Sequence, residues 1–175
     1  MAFDSGSVSF RLFYLQRSYD AGLIDDFARN AAPPIASLNK DPISGWVTGR
    51  HLLDRDITEE KCILGPYLYA MYMKAEKKVP ESLLRAHCRL EEDVELRARE
   101  VEVLPRAVRS EVKQRVVDSL LPTMPPTLSS IPLVVDFRND LLLAQAMSDK
   151  QIDVISPVFK ETAGTLPILL TPETA

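Results

Sequence analysis

Between Pro80 and Pro122 the apolar side chains recur every three or four residues, whereas on both sides of that stretch they fall in short alternating or continuous runs. A helical period set inside strand-like periods admits few folds, because a sheet and a helix pair bury different faces and must pack as separate layers. Leu83, Leu84, His87, Leu90 and Val94 mark one amphipathic helix of about five turns opening on Pro80, with Glu91, Glu92, Asp93, Arg97 and Arg99 around the rest. Val101 to Pro105 interrupts the pattern. Val108, Val112, Val116 and Leu120 then step by four as far as Pro122. The spacing predicts an antiparallel helical hairpin with narrow apolar stripes.

Before the hairpin, Val8 to Leu15 alternates, with Val8, Phe10, Leu12 and Tyr14 on one face and Ser9, Arg11 and Phe13 on the other, which predicts a strand. Leu23, Ile24, Phe27 and Ala31 share a helix face that Pro33-Pro34 stops. Gly45 to Arg50 and Cys62 to Met73 predict two more strands, with Gly65-Pro66 a bulge or edge in the second. After the hairpin, Pro122 to Pro132 holds too many prolines for a helix or an inner strand and predicts an ordered loop or exposed arm. Leu133-Val134-Val135 and Leu141 to Ala144 then form strands joined by the polar turn Asp136 to Asp140. Ser148 caps a helix running to Ala163, which Gly164 terminates and Pro157 should kink, and Leu166 to Leu170 is the closing strand. The class expected is α+β with a mixed, mostly antiparallel sheet, ordered β-α-β-β, helical hairpin insertion, β-β-α-β. Residues 1–79 and 123–175 are expected to make the sheet domain, and 80–122 the projecting hairpin.

Composition narrows the chemistry. With 21 Lys and Arg against 25 Asp and Glu the formal charge is -4, so no global basic field draws the chain to nucleic acid and any polyanion site must be a local patch. No apolar run reaches the roughly 18 residues of a membrane span, the start MAFDSGSVSF lacks a signal pattern, and a cytoplasmic protein is expected. Cys62 and Cys88, with only His51 and His87 beside them, supply no zinc spacing and are expected to be free thiols. Six scattered glycines build no phosphate loop, no G-x-S-x-G elbow occurs, and no cofactor motif is present. Asp136 and Asp140 could hold magnesium for phosphoryl transfer in a metal-dependent nuclease, but Asp and Asn are also what a turn between strands selects.

Basic residues gather twice: Lys74, Lys77 and Lys78 before Pro80, and Arg106, Arg109, Lys113 and Arg115 on the second hairpin helix. Each set is a candidate phosphate contact, although Glu76, Glu81, Glu102, Glu111 and Asp118 lie among them as salt-bridge partners. The outer edges of the apolar stripes, Leu83, Leu84, His87, Leu90, Val108, Val112 and Val116, are the candidate surface for self-association.

Taken in order, Gly45-Trp46-Val47, Glu76-Lys77-Lys78-Val79-Pro80, a charged hairpin closing on Leu120-Leu121-Pro122, the turn at Asp136 followed by Leu141-Leu142-Leu143, and Gly164-Thr165-Leu166-Pro167 resemble the RdgC family of recombination-associated bacterial proteins. The colinear set spans Phe10 to Pro172. The resemblance implies a non-catalytic, sequence-independent binder of duplex DNA in the bacterial nucleoid, without cofactor, that forms a ring-shaped homodimer and restrains a recombinase. It also carries the label of exonuclease, and leaves open an assembly module without DNA binding. Family chains are longer than this one, so an incomplete DNA channel is expected. Where they continue after Leu-Leu-Pro with basic and aromatic residues, Thr123 to Thr127 has neither, so phosphate gripping is not expected at that turn.

Overall fold

In a computed structural model that describes residues 8–171, the strands join in one antiparallel sheet, and the expected helical pair is present. Among these residues the chain order is β1 (Arg11–Tyr14), α1 (Leu23–Arg29), β2 (Ile43–Thr48), α2 (Glu59–Cys62), β3 (Ile63–Leu64), β4 (Tyr67–Lys77), α3 (Glu81–Arg99), α4 (Arg106–Leu120), β5 (Pro126–Asp136), β6 (Leu141–Ala144), α5 (Asp149–Ala163) and β7 (Ile168–Leu169). The sheet order is β2-β4-β5-β6-β1-β7, with β3 paired to β4. The class is α+β, as the change of period implies. Pro172, at the end of the family-like span, lies outside the described residues.

The chain divides into two compact units. The first comprises Met1–Pro34, Ile43–Lys74 and Leu128–Ala175; the second comprises Ile35–Pro42 and Ala75–Thr127. In the first unit, Phe13, Leu15, Trp46, Leu68, Leu133, Val135, Leu142 and Ala144 supply the sheet side of a core whose helix side is Leu23, Ile24 and Phe27 of α1 with Ile155, Phe159 and Ala163 of α5. Trp46 is fully buried at its centre. Its ring lies 4.5 Å from Phe27 and 5.4 Å from Tyr72, and its indole Nε1–H donates to Thr162 Oγ1 at 2.7 Å, so the largest core side chain has no unmet polar atom. Gly45 precedes it because a Cβ there would meet the Ala32 backbone at 2.6 Å. That close approach lets Ala32 N–H donate to Trp46 O, and Trp46 N–H to Asn30 O, tying the exit of α1 to β2.

Four expectations are corrected. The apolar face of β1 is not Val8, Phe10, Leu12 and Tyr14: the register Phe13↔Leu142 turns Phe13 inward together with Leu15, and leaves Phe10 and Tyr14 close to half exposed. Both faces of that segment carry apolar residues, so alternation could not choose between them. Gly65-Pro66 is not a bulge in one strand but the two-residue loop of the β3–β4 hairpin, where Leu64 pairs Tyr67 and Gly65 has φ +59°. The proline-rich arm is also strand: β5 runs from Pro126 to Asp136 between β4 and β6. Pro126 is tolerated as its first residue. Pro132 sits just beyond the last paired residue of β6 and still accepts Gln145 N–H, so its missing N–H removes one bond at the end of a ladder.

Cys62, expected to open a strand, instead ends the short helix α2. Ser148 and Gln151 form a reciprocal capping box at the start of α5, and the helix runs through Pro157 to end at Gly164. In the second unit, Leu84, Val112 and Val116 are buried together, with Val79, Cys88, Val108, Val117 and Leu120 packed around them, so α3 and α4 share one narrow apolar seam. No helix among the described residues is long and apolar enough to cross a membrane.

Since Trp46 touches β4 and both helices, Trp46→Ala is expected to cost about 3 to 5 kcal/mol of stability. Chemical denaturation measures that loss. The native indole should emit at the short wavelengths of a buried ring, and a water-like maximum would contradict its placement.

Candidate nucleic-acid interface on the helical hairpin

The cationic candidates separate once helical phase and partners are known. Residues along an α-helix advance about 100° each, which places Arg106, Arg109 and Lys113 within about 60° of one another on one flank of α4 and Arg115 well away from them. All four are exposed. Arg115 faces α3: its Nη2 lies 2.8 Å from Glu95 Oε1 and 3.8 Å from Glu91 Oε2, and Arg99 holds the other Glu95 oxygen at 3.0 Å. Hydrogen bonds from Arg115, then from Arg99, keep the Glu95 carboxyl below its usual range, and the Glu95 bond raises Arg115 in turn. Arg115 is thus a clamp between the helices. Among the described residues Arg106, Arg109 and Lys113 have no ion-pair partner.

Lys113 and Glu92 border the same side of the seam, because both act on the Cys88 thiol. Burial raises that thiol first and Glu92 raises it further, while Lys113 lowers it. Arg89 follows Glu92 outward by about 60° around α3. It adds to that side a cation with no ion pair among the described residues, which sequence spacing passed over, since on the wheel of α3 alone it is one charge among many. On the far side of α4, Asp118 is held below its usual range by the Lys40 ammonium at 2.8 Å and by Gln114.

The other lysines do not join this flank. Lys77 donates to Pro122 O at 3.0 Å, Lys78 pairs with Glu76 at 2.5 Å, and Lys74 lines a cleft of the first unit. The apolar candidates also part. Leu84, Val112 and Val116 are consumed by the seam, with Val108 against them, and Leu83 is half-buried. His87 is half-buried and lines a small cavity with Glu91, Arg115 and Ser119. Leu90 is 65% exposed and Val94 61%. With His87 and Leu83 they form the apolar stripe that the seam does not cover.

Both aspartates of the β5–β6 turn are engaged in turn hydrogen bonds. Asp136 is buried and accepts Arg138 N–H at 2.9 Å and Asn139 Nδ2 at 2.7 Å. Desolvation pushes its carboxyl up, but these hydrogen bonds outweigh it and hold the group below its usual range. Asp140 adopts φ +54° and accepts Ser18 Oγ at 3.1 Å, a turn role in each case. Among the described residues no three His, Cys, Asp or Glu side chains gather as a metal site. Both cysteines are free thiols, Cys62 buried and Cys88 half-buried.

An α+β sheet protein whose β4–β5 connection is a charged helical hairpin is the class that fold and site define. Residues 11–175 match the family described as "Putative exonuclease, RdgC", essentially the whole chain, and the protein belongs to the RdgC family. No curated protein matches it. Family membership supports a recombination-associated role.

The clamp predicts an acid limit for the hairpin. Glu95 has a folded pKa below its unfolded value, so its contribution is present above the unfolded pKa of about 4.3 and is lost as pH falls through the folded one. Thermal melts from pH 6 down to pH 3 should fall less steeply for Glu95→Gln than for the parent chain. Parallel curves would remove the clamp.

Proposed function

We propose that the protein binds duplex DNA without sequence preference and without a cofactor, acting as a homodimer in recombination rather than as a nuclease. The observation that carries the reading is the flank of Arg106, Arg109 and Lys113, three cations on one side of α4 without ion pairs among the described residues, beside a clamp in which Arg115 and Arg99 are paired with Glu91 and Glu95. Exposed cations without an ion-pair partner are available to phosphates. Sequence should matter little, because no Asn, Gln or Arg constellation here reads base edges from a groove-filling helix. With a formal charge of -4 opposing approach, the flank has to act locally, and two copies in a dimer would double the phosphates it engages. A recombinase held back by such binding, and a place in the bacterial nucleoid, follow from the same reading.

A second reading, an assembly module without DNA binding, is favoured by the exposure of Leu90 and Val94. One titration separates them. Log affinity for duplex DNA should fall linearly with log salt, and Arg109→Ala with Lys113→Ala should weaken unrelated duplexes alike and flatten the slope by about 2, one unit per lost contact. A double variant that binds as the parent does would overturn the assignment of this flank. If neither binds at low salt, the assembly reading stands, and Leu90→Glu with Val94→Glu should lower the sedimenting mass while circular dichroism stays helical.

A further inference from the structure

A cleft of about 170 Å³ opens in the first unit between β4, β5 and the first turns of α5. Its floor is apolar: the half-buried ring of Tyr72, Ile131, and Val154, which is 43% exposed. The ring is pinned, since Tyr72 Oη donates to Ser44 Oγ at 2.8 Å and its edge meets Trp46. The rim is different. Lys74 arrives from β4 and Lys150 from α5, with the Ser129 hydroxyl from β5, and none of the described side chains lining the cleft is acidic. Lys150 makes no ion pair among the described residues. Gln151 is committed to the helix cap and does not compete for a ligand.

We infer that this cleft holds one nucleotide unit, its base on the Tyr72, Ile131 and Val154 floor and its phosphate between Lys74 and Lys150. A fixed aromatic face accepts any base, as stacking does not read sequence. Two ammonium groups with a hydroxyl suit a phosphate as point charges and a donor. The volume limits the occupant. At about 170 Å³ the cleft falls short of the roughly 300 Å³ at which drug-sized sites begin, so it takes one base and not a stacked pair. The unit could come from a free mononucleotide or from the phosphorylated end of a single strand, which share this chemistry. The inference does not rest on the hairpin, because every lining residue belongs to the first unit.

The full chain is titrated with thymidine 5′-monophosphate, thymidine, inorganic phosphate and 5′-phosphorylated pentathymidylate, following the amide and tyrosine ring signals by nuclear magnetic resonance. Thymidine monophosphate should bind more tightly than thymidine or phosphate alone and should shift Tyr72. Lys150→Ala should weaken it by on the order of tenfold, the loss of one charge-assisted contact, without changing the fold of an exposed position. Val154→Glu, which puts a carboxylate on the floor, should abolish binding, and Arg109→Ala with Lys113→Ala should leave it unchanged. Tighter binding of the phosphorylated pentamer identifies a strand end as the ligand; tighter binding of the monophosphate identifies a free nucleotide. Absence of binding at millimolar concentration, or equal binding by Lys150→Ala, would overturn the assignment.

Discussion

The Trp46 indole holds the first unit to one arrangement. Its ring joins α1, β2 and β4, while its N–H reaches Thr162 on α5, so two helices and the edge of the sheet are fixed by a single side chain with its polar atom satisfied. Gly45 and the Ala31–Trp46 bridge exist to bring the chain close enough for that contact. Within the sheet, β4 and β5 are neighbours, and the helical hairpin is the connection between them. Tyr72, on β4, is held between Trp46 and Ser44.

In the second unit, charge is sorted rather than spread. The seam of Leu84, Val112 and Val116 leaves α4 two flanks with opposite fates. Arg115 is spent on Glu91 and Glu95, which tightens the pair, whereas Arg106, Arg109 and Lys113 remain open to solvent. An exposed ion pair contributes little to stability, so the clamp matters chiefly because it fixes which face of α4 turns outward. Open cations gathered on one flank of a chain of formal charge -4 are suited to local contact with a polyanion.

Much of this was legible in the residues. The step-of-four valines and the Ser148 cap mark their helices because local spacing and capping chemistry do not depend on the rest of the fold. The turn roles of Asp136 and Asp140 follow from the same kind of short-range bonding. What failed depended on distant pairing. The face of β1 was set by Leu142, and the strand state of Pro126 to Pro132 by ladders on β4 and β6, neither of which period or propensity can supply. Of the candidate site, sequence named every cation of the α4 flank but could not separate Arg115 from the others, since the partners that remove it stand on α3. Lys150 was missed altogether. Only the fold brings it to the cleft that Lys74 lines, and no spacing along the chain signals the pair.

The central claim is that the open flank of α4 meets DNA. Backbone amide shifts of the chain, recorded while an unrelated 20-mer duplex is added at low and then at high salt, test it directly. The account predicts that the largest shifts fall at Arg106, Arg109 and Lys113, that they are the same for a second duplex of different sequence, and that salt reverses them. Shifts that avoid α4, or that persist at high salt with one duplex and not the other, would contradict it.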